Sequence, residues 1–454
     1  MYSVISRWLP CRASFMRHIP MPHPAGAVRA SRRSCRFMMS VAIFLCLALF
    51  STTLLADDAI LTPERAVAIA LEDNPSLAQI KARAEAMAAI PSQEGTLPEP
   101  TLNFGALNLP TANGLNLHKE DMTMLEVGIN QSIPFPGKLA LREKAATFEA
   151  EAAVNTVEEA RLLLARDVTI RWWQLVSMHY SLLIIADTEQ LLKQLVEIAN
   201  TQYRVGEGLQ QDVLTALLEQ AKLAKEKAQH VGMHRAEIAR LNALLNQAAD
   251  HAIRLPDNLD TQLTDIQSAT DLQESRPLLA EKKKAIDAAQ TRLELAKKDY
   301  YPDFTLGTAY SFRQNTPNGQ SRSDFASVQL SMTLPIYTDR KQAKAVDQRQ
   351  SELLKERYAL AEARREIQAD ISASLAFYRG SREQFELLKN SMLPLAQQNV
   401  SVALTAYQVG KTDFQSVIQA KNAWFDYQMQ YWQALADAHQ ALAQLKAAVG
   451  RDTL

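Results

Sequence analysis

Three short segments alternate apolar and polar residues with a period of two. In "FTLGTAYSF", Phe304, Leu306, Thr308, Tyr310 and Phe312 share one side, and Thr305, Gly307, Ala309 and Ser311 the other. In "SVQLSMTL", Val328, Leu330, Met332 and Leu334 oppose Ser327, Gln329, Ser331 and Thr333. Earlier, Leu125, Val127, Ile129 and Ile133 oppose Glu126, Gly128, Asn130 and Ser132. This pattern predicts strands with one apolar and one polar face, at about 122–133, 302–313 and 325–335, and a duplication within the chain predicts a fourth at about 100–108. Each is about ten residues long, the length of a tilted strand crossing a bilayer. Two isolated hairpins would leave exposed edges and little core. Four strands cannot close a barrel alone, but several chains pooling theirs can. The connectors, at about 108–121 and 314–324, are rich in Asn, Gly, Pro and Ser and read as surface loops.

Elsewhere the period is helical. Residues 138–203 contain neither proline nor glycine, and as one helix would extend about 100 Å. Leu164, Val168, Trp172 and Leu175 mark a buried stripe along it. A second long run covers about 341–407, with Pro394 as an expected kink or break. Shorter helical runs precede the strands, at about 63–89 and 272–298. Helices this long need lateral partners, since propensity alone seldom holds them.

These elements occur twice. "TQYRVGEGLQQDVLTA" from Thr201 matches "TAYQVGKTDFQSVIQA" from Thr405. "PEPTLNFG" from Pro98 pairs with "PDFTLGTA" from Pro302, "VGINQSIPF" from Val127 with "VQLSMTLPI" from Val328, and "NPSLA" from Asn74 with "RPLLA" from Arg276. All four pairs are 201 to 204 positions apart and in the same order, the mark of a tandem duplication. The first repeat spans 57–270 and the second 271–454, each a helix, two strands and a long helical hairpin. The hairpin tips fall near 205–209 and 409–413, where Gly206 and Gly410 suit a left-handed residue closing a helix. Asp212, and Thr412 or Asp413, lie where side-chain oxygens can cap the returning helices.

Charge and composition narrow the function. Lysine and arginine number 49 against 50 acidic residues, so the chain lacks the basic excess that a nucleic-acid partner requires. Residues 1–56 read as a leader with a secretory signal: Arg29, Arg32, Arg33 and Arg36 precede an apolar run at 41–50, with cleavage expected near Ala56. Cys11, Cys35 and Cys46 are the only cysteines, so cleavage would leave a mature chain without any, excluding disulfides and thiolate chemistry. No metal-ligand spacing, nucleophile motif or phosphate loop is present, and no cofactor is implied. His118, Met122 and Met124 near the first loop are soft-metal donors by type, but form no dense cluster in sequence. The sequence thus offers no constellation of the kind an enzyme needs. A soluble adaptor with long hairpins would carry one hairpin, not two equivalent ones.

The duplication, the "NPSL" start, "LPEPTL" and "YYPDFTL" before strands, "PFPGK" and "LPIY" after them, and the two Y-x-V-G tips together resemble the TolC-like outer-membrane efflux proteins over about residues 57–454. "IPFPGKLALREKA" is most similar to the heavy-metal cation branch. The resemblance implies a mainly α fold with a small β part. Three chains would share a 12-stranded barrel in the outer membrane of a Gram-negative cell, above a helical coiled-coil tunnel crossing the periplasm. It implies a homotrimer working with a periplasmic adaptor and an inner-membrane pump of the resistance-nodulation-division type. Drug efflux and type I protein secretion are the alternative cargo classes. It further implies that Asp212 and Tyr407 hold the tunnel mouth closed. Thr412, with Lys411 beside it, replaces the family's basic partner, and Ser416 and Gln419 stand where some members carry acids. Val205, Gly206, Val409 and Gly410 are the tip residues expected to meet the adaptor.

Overall fold

The computed structural model describes residues 60–111, 116–266 and 276–451. The leader, its cysteines and the expected start of the second repeat's first helix at 272 lie outside them. Helices α1 (Pro63–Asp73), α2 (Pro75–Ala88) and α3 (Ile90–Gly95) lead to strands β1 (Thr101–Leu107) and β2 (Met124–Ile133). Then come α4 (Lys138–Arg204) and α5 (Gln210–Leu244). The second repeat supplies α6 (Pro277–Lys298), β3 (Phe304–Arg313), β4 (Phe325–Met332), α7 (Gln342–Leu387), α8 (Leu393–Gln408) and α9 (Phe414–Val449).

Two helical expectations need correction. The run expected over 63–89 is split at Asn74, whose Oδ1 accepts from the N–H groups of Ser76 (2.9 Å) and Leu77 (3.1 Å) and so caps α2. Pro75 follows at a first-turn position, where its missing N–H costs nothing. Pro394, conversely, breaks nothing. A π turn at Leu388–Met392 widens the preceding helix, and the chain stays helical through the proline into α8. Such a turn accommodates the carbonyl that the proline ring leaves unpaired.

The strands form one antiparallel sheet in the order β1-β2-β3-β4. Its register aligns Phe104 with Val127, Val127 with Tyr310, Leu125 with Phe312, and Leu306 with Leu330. The apolar rows of all four strands therefore share one face. That face is open: Phe104 is 73% exposed and Val328 77%, while Gly128, Gly307 and Ser311 on the opposite face of the two central strands are buried. This inverts the usual solution for a sheet in water, where the apolar side packs inward. No helix among the described residues is long and apolar enough to cross a membrane.

The strand-flanking motifs tie sheet to helices. Lys138, buried at the start of α4, lies 2.9 Å from Asp303 and 3.2 Å from Asp299. Asp303 also accepts from the Phe135 N–H at 2.7 Å, and Phe135 stacks on Tyr301 at 4.5 Å. "PFPGK" of one repeat thus grips "YYPDF" of the other. At the far end of the sheet, Arg322 joins the two external loops, donating to the carbonyls of His118 and Gln314 and pairing with Asp121.

The helices pack around two main cores. Val168, Trp172 and Leu175 are buried, as the spacing predicts, against Leu241, Phe385, Leu388 and Leu435. Trp172 also donates to the Leu61 carbonyl at 2.8 Å. The second core, toward the tips, gathers Ile185, Leu192, Leu195, Ala216, Tyr407, Phe414, Val417 and Ile418. A buried ion pair closes the second repeat: Glu159 of α4 accepts from Arg276 at 2.8 and 3.0 Å and from the Leu278 N–H at 3.1 Å.

Candidate functional site

The two tips are built alike. Gly206 has φ +83° and Gly410 φ +71°. The N–H of Glu207 donates to the Gln202 carbonyl (2.9 Å) and that of Gly206 to Tyr203 (3.1 Å). In the second tip, Lys411 donates to Ala406 (2.8 Å) and Gly410 to Tyr407 (3.0 Å). This paired pattern closes a helix through a left-handed residue, which glycine reaches without steric cost. It leaves Val205 and Val409 pointing outward, each 62% exposed.

The returning helices start differently. Asp413 caps α9, accepting from the Ser416 N–H at 2.8 Å; Thr412 makes no cap. At α5 the N-cap is Leu209, with no side-chain bond. Asp212, a candidate cap in the sequence, stands one turn further in. Its Oδ2 accepts a hydrogen bond from the Tyr407 hydroxyl at 3.2 Å. That bond joins the first hairpin to the second across 195 positions of chain. Tyr407 is buried, with its ring centre 5.2 Å from that of Phe414. Burial first, then the Asp212 charge and the hydrogen bond, push the phenol up to about 12, so it remains a donor at physiological pH. Lys411 is exposed and Thr412 half-buried, and neither reaches Asp212 by any hydrogen bond or ion pair among the described residues.

A second polar link, not predicted by the sequence pattern, lies just behind the tips. Lys421 is buried in α9 and donates to Asn422 Oδ1 at 3.0 Å. Asn422 Nδ2 in turn donates to Glu219 of α5 at 3.3 Å, and Lys222 pairs with the same carboxylate at 2.6 Å. Burial lowers the Lys421 ammonium despite the opposing charges of Glu219, Glu226 and Asp426. The available signal was a lysine following the apolar run Val417, Ile418 and Ala420 on one helix face. The soft donors of the external end are not brought together: His118 Nδ1 lies 3.4 Å from the Asn315 carbonyl, Met122 is exposed and Met124 is buried.

Comparison with known proteins agrees with this architecture. The outer membrane efflux protein family matches in two segments, 66–248 and 269–451. The cobalt-zinc-cadmium resistance protein CzcC of Cupriavidus metallidurans is 24% identical over 332 residues, covering 71% of this chain and 76% of that one. Among solved structures, the outer membrane protein VceC of Vibrio cholerae superposes with a TM-score of 0.73 at 18% identity, covering 86% of this chain and 96% of its own. CusC, described as forming a transmembrane channel, superposes at 0.72 with 16% identity, covering 86% and 92%. With both of its repeats matched and the sheet and hairpins in place, this chain belongs to the outer membrane efflux protein family.

Proposed function

We propose that the chain is the outer-membrane duct of a tripartite efflux system, a homotrimer that moves heavy-metal cations passively while an inner-membrane pump supplies the energy. The observation that carries this reading is the inverted sheet. An apolar face with Phe104 and Val328 more than 70% exposed requires a greasy surrounding. The sheet ends in two unpaired edges, β1 and β4. Lipid tolerates no open edge, so β4 of one chain must meet β1 of the next until a ring closes. Three such sheets give 12 strands with a polar lumen, and the two hairpins of each chain continue that lumen into the periplasm. Val205, Gly206, Val409 and Gly410, at the tips, are the surface offered to an adaptor. The Tyr407–Asp212 bond joins the hairpins at the mouth and holds it closed. The resemblance to a cobalt-zinc-cadmium resistance protein supports the choice of cargo.

Two measurements test this. The mass of the detergent-purified protein should be that of three chains, and removal of detergent should precipitate it; a soluble monomer would refute the channel. Deleting the gene should sensitise cells to cobalt, zinc or cadmium. Sensitivity confined to drugs, or loss of a secreted protein, would replace the cargo and leave the channel standing.

A further inference from the structure

The hairpin of the first repeat sets one pair of histidines face to face. His179 on α4 stands 27 residues before Gly206, and His234 on α5 stands 28 after it, so the fold-back brings them level. They lie about 40 Å from the tip. Their ring centres are 6.2 Å apart, with planes inclined at 38°. Among the described residues neither imidazole makes a hydrogen bond. Both are half-buried. Asp257 places a negative charge near His179. One turn from His234, His230 has its Nδ1 buried without a partner.

We infer that His179 and His234 form a binding site for a divalent cation of the zinc, nickel or copper(II) class, which bridges α4 to α5. Imidazole is the preferred neutral donor for these ions. Two rings sharing one ion through bonds of about 2.1 Å have centres roughly 5–6 Å apart, so small rotations of both side chains suffice. No group of three or more His, Cys, Asp or Glu with metal-holding geometry occurs among the described residues, so water completes the coordination. The site is a clamp in the tunnel wall, independent of the exported cargo: it fastens two antiparallel helices of one hairpin and stiffens them against uncoiling.

The test uses the full chain in detergent, purified without a histidine tag, and zinc chloride as the probe. Calorimetry should show one zinc per chain at this site, and zinc should raise the unfolding temperature. Losing a residue that only orients a metal ligand costs about 10- to 100-fold in affinity, so His179→Gln and His234→Gln should each weaken binding by at least about tenfold. His230→Gln should bind as wild type does. Melting curves without zinc establish that each variant is folded. Absence of zinc binding by the wild-type chain, or equal binding by His179→Gln, overturns the inference. Loss of binding in His230→Gln alone would likewise overturn it, in favour of chelation along one helix. None of these outcomes bears on whether cells need the protein to resist metals, which keeps the two proposals separately testable.

Discussion

Replacing Tyr407 by phenylalanine removes one hydroxyl and leaves the ring in place against Phe414. The lost interaction is a 3.2 Å hydrogen bond to a carboxylate. Hydrogen bonds to charged groups contribute about 1.5–3 kcal/mol when the partner is left dry. Asp212 is half-buried and can recruit water, so the net loss should be nearer about 1 kcal/mol per chain. Because about 1.4 kcal/mol is tenfold, each chain should shift the closed-to-open ratio roughly fivefold. Three chains acting additively would shift it by about two orders of magnitude. Planar-bilayer recordings on purified wild-type and Tyr407→Phe protein measure this directly. The pH dependence has a defined sign. The phenol titrates at about 12 in the folded protein, above the ordinary tyrosine range near 10. Its contribution is therefore complete below about pH 10 and lost only as pH rises through about 12. Wild-type conductance should show no tyrosine-linked rise up to about pH 9, and the variant should be biased open throughout. Identical closed-state lifetimes in the two proteins would refute the idea that this bond holds the mouth.

Other expectations follow from the same geometry. Gly206→Ala meets no atom within 4 Å and should cost only the left-handed strain of about 1–2 kcal/mol, whereas the Cβ of Gly450→Ala would fall 2.7 Å from Arg276 Cα and should cost roughly 3 kcal/mol; denaturant titration in detergent ranks them. Arg276→Met leaves Glu159 buried without its partner and should destabilise by about 3–5 kcal/mol, with Glu159→Gln added to it recovering much of the loss in the same titration. Val328→Arg on the apolar face should reduce the outer-membrane fraction of the protein, at about 2–4 kcal/mol near mid-bilayer, while Ser327→Arg on the other face should insert normally. Lys421→Met removes a buried ammonium while Glu219 keeps Lys222, and should raise the unfolding temperature; a large fall would refute this and show that the link through Asn422 offsets the burial.

Much of the fold is written locally. Period-two alternation placed three of the strands and the duplication the fourth, because a sheet between two different media must sort its residues by face. The strand ends ran one to three residues long: Leu334 is apolar and in phase, but β4 stops at Met332. The tips were legible because glycine is the residue that reaches positive φ freely, and the Y-x-V-G pattern sets it at a fixed distance from the last helical turn. Departures arose where one residue has several uses. Pro394 predicts a kink or break, yet the chain stays helical through it by way of a π turn. Asp212 suits both a cap and the contact with Tyr407 that the family resemblance implies; the structure shows the hydrogen bond to Tyr407, across 195 positions of chain, and no cap. The links through Lys421 and between His179 and His234 were hidden for a different reason. They depend on the register between helices, which no single helix reveals. For the histidines, counting outward from Gly206 supplies that register.

The starts of the two returning helices show what duplication allows. Leu209 and Asp212 occupy the first and fourth places at one tip, and Asp413 and Ser416 the same places at the other. The carboxylate has changed seats between the copies. In the later copy it is consumed at home, tying down its own backbone. In the earlier copy it reaches over to its sibling, and the first turn of α5 goes without a side-chain cap. A single ancestral hairpin could not have done both with one acid. With two, the start of α9 is capped and that of α5 is not, so a pull on the tips should begin to unwind α5 before α9.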